Sequence, residues 1–240
     1  MAERSELWVT HLGQVPYGEA VELQERVRRG RIAGELPDVL LMLEHPPVYS
    51  KGRRTEPGEL PLGDDWYRAR GIEVTETERG GRVTYHGPGQ IVGYPIMEVG
   101  RVRPYIETME RALVAALGDE GIAAVAPADL IGVWTAGRKI ASIGVHVSRG
   151  VSMHGFAVNV DNDLTPFEWI VPCGIDGVQM TSIARERGAS AGIACFRRRA
   201  AWRFAEAFDR RQRLVSPERL LAATDARPQP APPQREPVPA

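Results

Sequence analysis

Apolar and polar residues follow two different rhythms along this chain. Leu7 to Leu12 and Val39 to Leu43 read as strands, the second continuously apolar as a strand buried on both faces would be. Between them Tyr17 to Ile32 is charged, with apolar residues at Ala20, Val21, Leu23, Val27 and Ile32, which predicts an amphipathic helix with an imperfect stripe. Ile72 to Thr77 alternates and is rich in β-formers; a glycine-rich segment runs from Arg79 to Gln90, and Ile91 to Ile96 is apolar again. Pro104 sits where a first helical turn tolerates proline, so a helix is expected from there through Leu117, with Gly118 and Gly121 helping to end it. Leu130 to Trp134, Lys139 to Val147 and Val151 to Val160 read as three successive strands, joined by turns at Gly137 and at Ser148-Arg149-Gly150. Turns this short favour antiparallel hairpins. Phe196, Ala200, Ala201, Phe204, Ala205 and Phe208 share one helical face, so a packed C-terminal helix is expected, its arginine-rich opposite face solvated.

These elements define an α/β (α+β) fold: a single domain with a mixed, largely antiparallel sheet flanked by helices. At 240 residues, 43% hydrophobic and 25% charged, the chain is long enough to bury a large core. A folded domain is expected over residues 1–215, with a C-terminal extension over 216–240. The stretch from Arg227 to Ala240, RPQPAPPQREPVPA, is expected to be extended and disordered, because proline removes amide donors and turns its neighbours away from helix. A polyproline ligand for a partner is the other reading of that tail.

Charge and cysteine count narrow the function. Thirty Lys and Arg against 31 Asp and Glu leave a net charge of −1, which argues against a general nucleic-acid binder. No apolar run approaches the ~20 residues of a membrane span. The opening MAERSELWVT lacks the apolar region of a secretory leader, so a cytoplasmic protein without nucleic-acid or membrane partners is expected. Cys173 and Cys195 make neither a disulfide framework nor a structural zinc site.

Three segments are written in residues that packing alone would not select. Arg79-Gly-Gly-Arg-Val-Thr-Tyr-His-Gly-Pro-Gly-Gln90 carries four glycines in twelve residues, an entropic cost a fold accepts for positive φ angles or close approach to a ligand. It is neither a dinucleotide fingerprint nor a Walker loop, and alone it reads equally as a plain turn. In Gly137-Arg-Lys-Ile-Ala-Ser-Ile-Gly144, Lys139 is either an edge residue or, if it points inward, a base, since desolvation disfavours its ammonium form. In Trp169-Ile-Val-Pro-Cys-Gly-Ile-Asp176, Cys173 sits on a Pro-Cys-Gly corner that can present sulfur to a cleft. Cys195, beside Phe196 at the start of the last predicted helix, reads as core. His86, His146 and His154 are candidate bases for a cysteine nucleophile, although the last two, in alternating strands, also read as satisfied structural histidines. No H-x-x-x-H pair or Cys/His cluster suggests a metal.

In this order and spacing, RGGRVTYHGPGQ, GRKIASIGVH and WIVPCGIDGVQMTSI, with EHPPVYSKG from Glu44 to Gly52 before them, resemble the lipoate-protein ligase B family. The resemblance covers about Val9 to Ile183. It implies the α/β architecture shared by biotin and lipoate protein ligases. It also implies an acyltransferase that moves an octanoyl or lipoyl group from acyl carrier protein to one lysine of a lipoyl domain, through a cysteine thioester. Carried over, Cys173 matches the nucleophile and Lys139 the lysine that favours its thiolate and acts as general acid and base. Substrate contacts map to Arg79, Gly80, Gly81, Arg82, Val83, Thr84, Tyr85 and His86, to Ser142, Ile143 and Gly144, and to Gly155, Phe156 and Ala157. Of these, Val83, Ile143 and Phe156 read equally as acyl-chain slot or as core. Acceptors would be the lipoyl domains of 2-oxoacid dehydrogenase E2 subunits and the glycine cleavage H protein. The donor would arrive on the phosphopantetheine arm of its carrier, with neither ATP nor metal, to an enzyme acting as a monomer. The alternative is an ATP-dependent lipoate or biotin protein ligase on the same fold.

Overall fold

In a computed structural model, residues 4–174 and 177–225 are described, without the side chain of Cys173. The proline-rich tail from Arg227 lies outside the described residues. In chain order come β1 (Glu6–Gln14), α1 (Tyr17–Ile32), β2 (Asp38–Glu44), β3 (Val48–Lys51), α2 (Asp64–Arg68), β4 (Glu73–Glu76), β5 (Thr84–His86), β6 (Gln90–Ile96) and α3 (Val102–Gly118). The second half adds β7 (Val133–Thr135), β8 (Arg138–Ser148), β9 (Val151–Asn159), α4 (Ile183–Arg187), α5 (Ile193–Ala207), β10 (Arg211–Leu214) and α6 (Pro217–Asp225).

Seven strands form the main sheet in the order β10-β1-β2-β6-β9-β8-β7. The β10–β1 and β1–β2 pairings are parallel, and the rest are antiparallel. Its outermost strands are short, four residues in β10 and three in β7. The continuous apolar run of β2 is explained by helices on both faces. Leu40 and Met42 pack with α3 and α5, while Val39, Leu41 and Leu43 pack with α1 and α6. The predicted hairpins form: Ala136-Gly137 and Arg149-Gly150 are two-residue loops with positive φ at both positions, the twist that matches paired strands. A smaller sheet, β4-β3-β5, closes one end over Tyr49, Tyr67, Tyr85 and Phe167.

Two expectations are corrected. The strand predicted from Leu130 starts only at Val133, because Gly132 has φ +122 and Leu130 and Ile131 face outward instead of into the core. Cys195 is exposed rather than buried: successive helical residues turn by about 100°, which puts it off the stripe of Phe196, Ala200 and Phe204.

Candidate active site

Strands β8 and β9 bring two of the predicted segments together residue by residue. Ser142 lies opposite Ala157, Ile143 opposite Phe156 and Gly144 opposite Gly155. The glycine loop is laid across them by a hydrogen bond from the Gly80 amide to the Val145 carbonyl at 2.9 Å. That approach requires glycine at 144, where a Cβ would stand 2.8 Å from the Gly80 carbonyl oxygen. A cavity of about 830 Å³ lies beneath, a size ordinary for a small-molecule site.

Its lining includes Arg79, Gly80, Gly81, Arg82, Thr84 and His86, together with Lys139 and the six residues of the β8–β9 segments. Val83 and Tyr85 are not brought there. Alternation along β5 turns them to the other side, where Val83 is fully buried and Tyr85 packs on Tyr49 and Phe167.

Arg79 is the structural centre of the loop. Its guanidinium donates to the Ser50 carbonyl, to Ser50 Oγ and to the Gly80 carbonyl, so it is buried without a carboxylate partner among the described residues. Its positive charge therefore reaches into the cavity uncompensated. Burial, with the nearby Arg79 charge adding to it, holds His86 well below the usual histidine range. Its Nδ1 donates to Gln90 Oε1 at 2.7 Å, an oxygen identified because Gln90 Nε2 already donates to the Tyr85 carbonyl and to Asn159. Nε2 of His86 then faces the Ser50 hydroxyl at 3.3 Å.

His154 is pushed down to about 3 by burial and by the charges of Arg79 and His146. It sits at φ +57 in mid-strand, and its Nδ1 is buried without a hydrogen-bond partner among the described residues. It also lines a second, more acidic cavity of about 1110 Å³, whose walls include His146, Glu22, Glu76 and Glu78. The satisfied structural histidine expected at 146 and 154 is thus not what the structure shows, since Nδ1 of His146 is buried and unpartnered too.

Lys139 is 3% exposed, with Nζ 5.5 Å from the centre of the Trp134 ring. It points inward, not along an edge. Its backbone ties it to the cysteine segment: the Lys139 amide donates to the Gln179 carbonyl, and the Thr181 amide donates to the Lys139 carbonyl. Pro172–Gly174 forms a single 3₁₀ turn, held by the Val171 amide on the Glu59 carbonyl. Gly174 lies against Arg82, close enough that a Cβ there would overlap the Arg82 side chain. The turn bearing Cys173 therefore adjoins the cavity wall, although the position of its sulfur lies outside the described residues. Sequence reasoning missed Ser50, Arg53, Leu130 and Ile131, of which only Ser50 lay in a quoted motif. Among the described residues no group of three or more His, Cys, Asp or Glu could hold a metal ion, and no helix is long and apolar enough to cross a membrane.

A sheet bearing helices on both faces, with its cavity at the glycine loop, is the fold of a lipoate protein ligase catalytic domain. It is similar to a lipoate-protein ligase A structure bound with ATP (18% identity, TM-score 0.72, covering 91% of this chain and 92% of that one). It is also similar to Ta0514, a putative lipoate protein ligase from T. acidophilum with bound lipoic acid (16% identity, TM-score 0.71, 91% and 93%). The chain belongs to the lipoyl protein ligase A/B catalytic domain family, which matches it over residues 16–205. Its sequence is 48% identical over 168 residues to an octanoyltransferase of Solibacter usitatus, covering 68% of this chain and 76% of that protein. To an octanoyltransferase of Geobacter sulfurreducens it is 44% identical over 190 residues, 78% of each.

Proposed function

We propose that this chain moves an octanoyl (or lipoyl) group from acyl carrier protein to a specific lysine of lipoyl domains, through a thioester on Cys173 with Lys139 as general acid and base. Octanoyl transfer is the activity of its octanoyltransferase relatives. The route through Cys173 is supported by one observation: the inward-facing Lys139 and the Arg79–Arg82 loop line a single cavity, and Gly174, next to Cys173, lies against Arg82 of that wall.

A free thiol has a pKa of ~8.5 and needs a base at neutral pH. Lys139 takes the Cys173 proton, and the thiolate attacks the carbonyl carbon of the donor thioester. The bond to the phosphopantetheine sulfur breaks, and that sulfur leaves with the proton returned by Lys139. The acceptor lysine amine then attacks the acyl-Cys173 carbonyl, gives its proton to Lys139, and Cys173 departs as the amide forms. Both steps pass through an oxyanion, which the uncompensated Arg79 charge favours. A thioester becoming an amide runs downhill, so this route calls for neither ATP nor a metal. The acceptors on this reading are the lipoyl domains of 2-oxoacid dehydrogenase E2 subunits and the glycine cleavage H protein.

Incubation with octanoyl-carrier protein followed by intact-mass measurement is expected to show one octanoyl group on Cys173, without ATP. Cys173→Ser should lower transfer to a lipoyl domain by at least about three orders of magnitude. Transfer that needs ATP and survives in C173S would replace this route with that of an ATP-dependent ligase.

A further inference from the structure

Glu110 on α3 is a buried carboxylate to which the route above gives no task. It follows Ile106, which lines the cavity, by one helical turn on the same face. Its Oε1 accepts the backbone N–H of Gly132 at 2.9 Å. Gly132 in turn packs directly on the lysine: a Cβ there would lie 2.8 Å from Lys139 Cε and 3.4 Å from Nζ, and its φ of +122 admits only glycine. The segment it closes, Asp129 to Ile131, walls the Lys139 end of the cavity, yet Leu130 and Ile131 are exposed and give it no anchor in the core. The helix thus fixes this wall through one carboxylate.

We propose that Glu110 is a positioning residue for acyl transfer, holding Gly132 against the Lys139 side chain and placing a negative charge behind it. This rests on the role proposed above for Lys139. Burial pushes the Glu110 carboxyl up, and its hydrogen bond from Gly132 opposes that; Glu107 adds to the upward push, while Arg103 and Lys139 pull down. The other charged residues lining the cavity with Lys139 are Asp129, Arg53, Arg54, Arg79 and Arg82, and the Trp134 ring lies beside its ammonium group.

The test compares Glu110→Gln, Glu110→Ala and Lys139→Met in octanoyl transfer from carrier protein to lipoyl domain, between pH 5.5 and 9. Glutamine keeps a hydrogen-bond acceptor and removes the charge. Loss of that charge favours the neutral amine, so the acid limb of the E110Q rate profile should move to lower pH. E110A frees the wall and should slow acyl-enzyme formation about ten- to a hundred-fold, the cost of a misplacement near 1 Å. An E110Q profile and rate that match the parent, while K139M is inactive, would overturn the inference and leave the Lys139 reading standing. A slower E110Q with an unmoved profile and a lowered melting temperature would assign Glu110 to folding alone, and equally overturn it. K139M at the parent rate would remove the Lys139 reading itself and this inference with it.

Discussion

Three buried histidines stand around Tyr17 and Tyr94, and the fold holds all of them neutral. Burial lowers His45 to about 4 and His154 to about 3, and takes His86 well below its ordinary value. Geometry agrees with neutrality at His45, whose Nδ1 donates to the Val15 carbonyl while Nε2 accepts from the Tyr94 hydroxyl, each at 2.7 Å. A histidine depressed in the fold contributes stability that is full above the unfolded value of ~6.5. That stability erodes as pH falls from there towards the folded values, because the unfolded chain then binds protons that the native chain refuses. Each histidine removes up to about 1.4 kcal/mol per pH unit in that window. Urea unfolding at pH 7.5 and pH 5.0 should therefore show a clear drop in midpoint, and His86→Gln should flatten the dependence. A midpoint that stays level between the two pH values would deny the neutral cluster.

Among elements, the crossing of the glycine loop over β8 is the joint that shapes the cavity. In Gly144→Ala the new methyl meets the Gly80 carbonyl, so backbone must shift, at about 1–3 kcal/mol of stability and about ten-fold or more in acyl-enzyme formation. Gly137→Ala is the comparison. Its φ is +75 and nothing lies within 4 Å of the added carbon, so it should cost about 1 kcal/mol and leave acylation intact. Equal acylation in the two variants would show that the crossing does not matter. How legible these elements are in the sequence follows from the same physics. Helix α1 is delimited at Tyr17 and Ile32 by its pattern, and the β8–β9 hairpin by its two-residue turn. Leu130 and Ile131 mislead because an apolar run that lines a cavity has the composition of one that fills a core. Glu110 escapes because a lone glutamate in an amphipathic helix looks solvated until Gly132 is seen against it. Val83 and Tyr85 belong to the motif by sequence, yet the two-residue period of β5 gives them to the aromatic cluster.

At the scale of the whole molecule, the packed unit runs past the catalytic segments to Asp225. Leu220 on α6 is fully buried in the cluster formed by α1 and the sheet, and Arg26 on α1 reaches Thr224 and Asp225. Leu220→Ala should cost about 2–5 kcal/mol in urea unfolding, through lost burial and the void left behind. Leu220 is not among the residues that line the cavity, so transfer measured well below the melting temperature should persist. A stability unchanged by L220A would place the boundary of the folded unit before α6.

The brevity of the outer strands has a consequence of its own. A β-ribbon recruits further chains through its unpaired amides and carbonyls, and here the outermost strands are only four and three residues long, β10 carrying Arg211 and Arg213 paired to Glu6. Stacking into fibrils would find little template along β10 or β7 themselves.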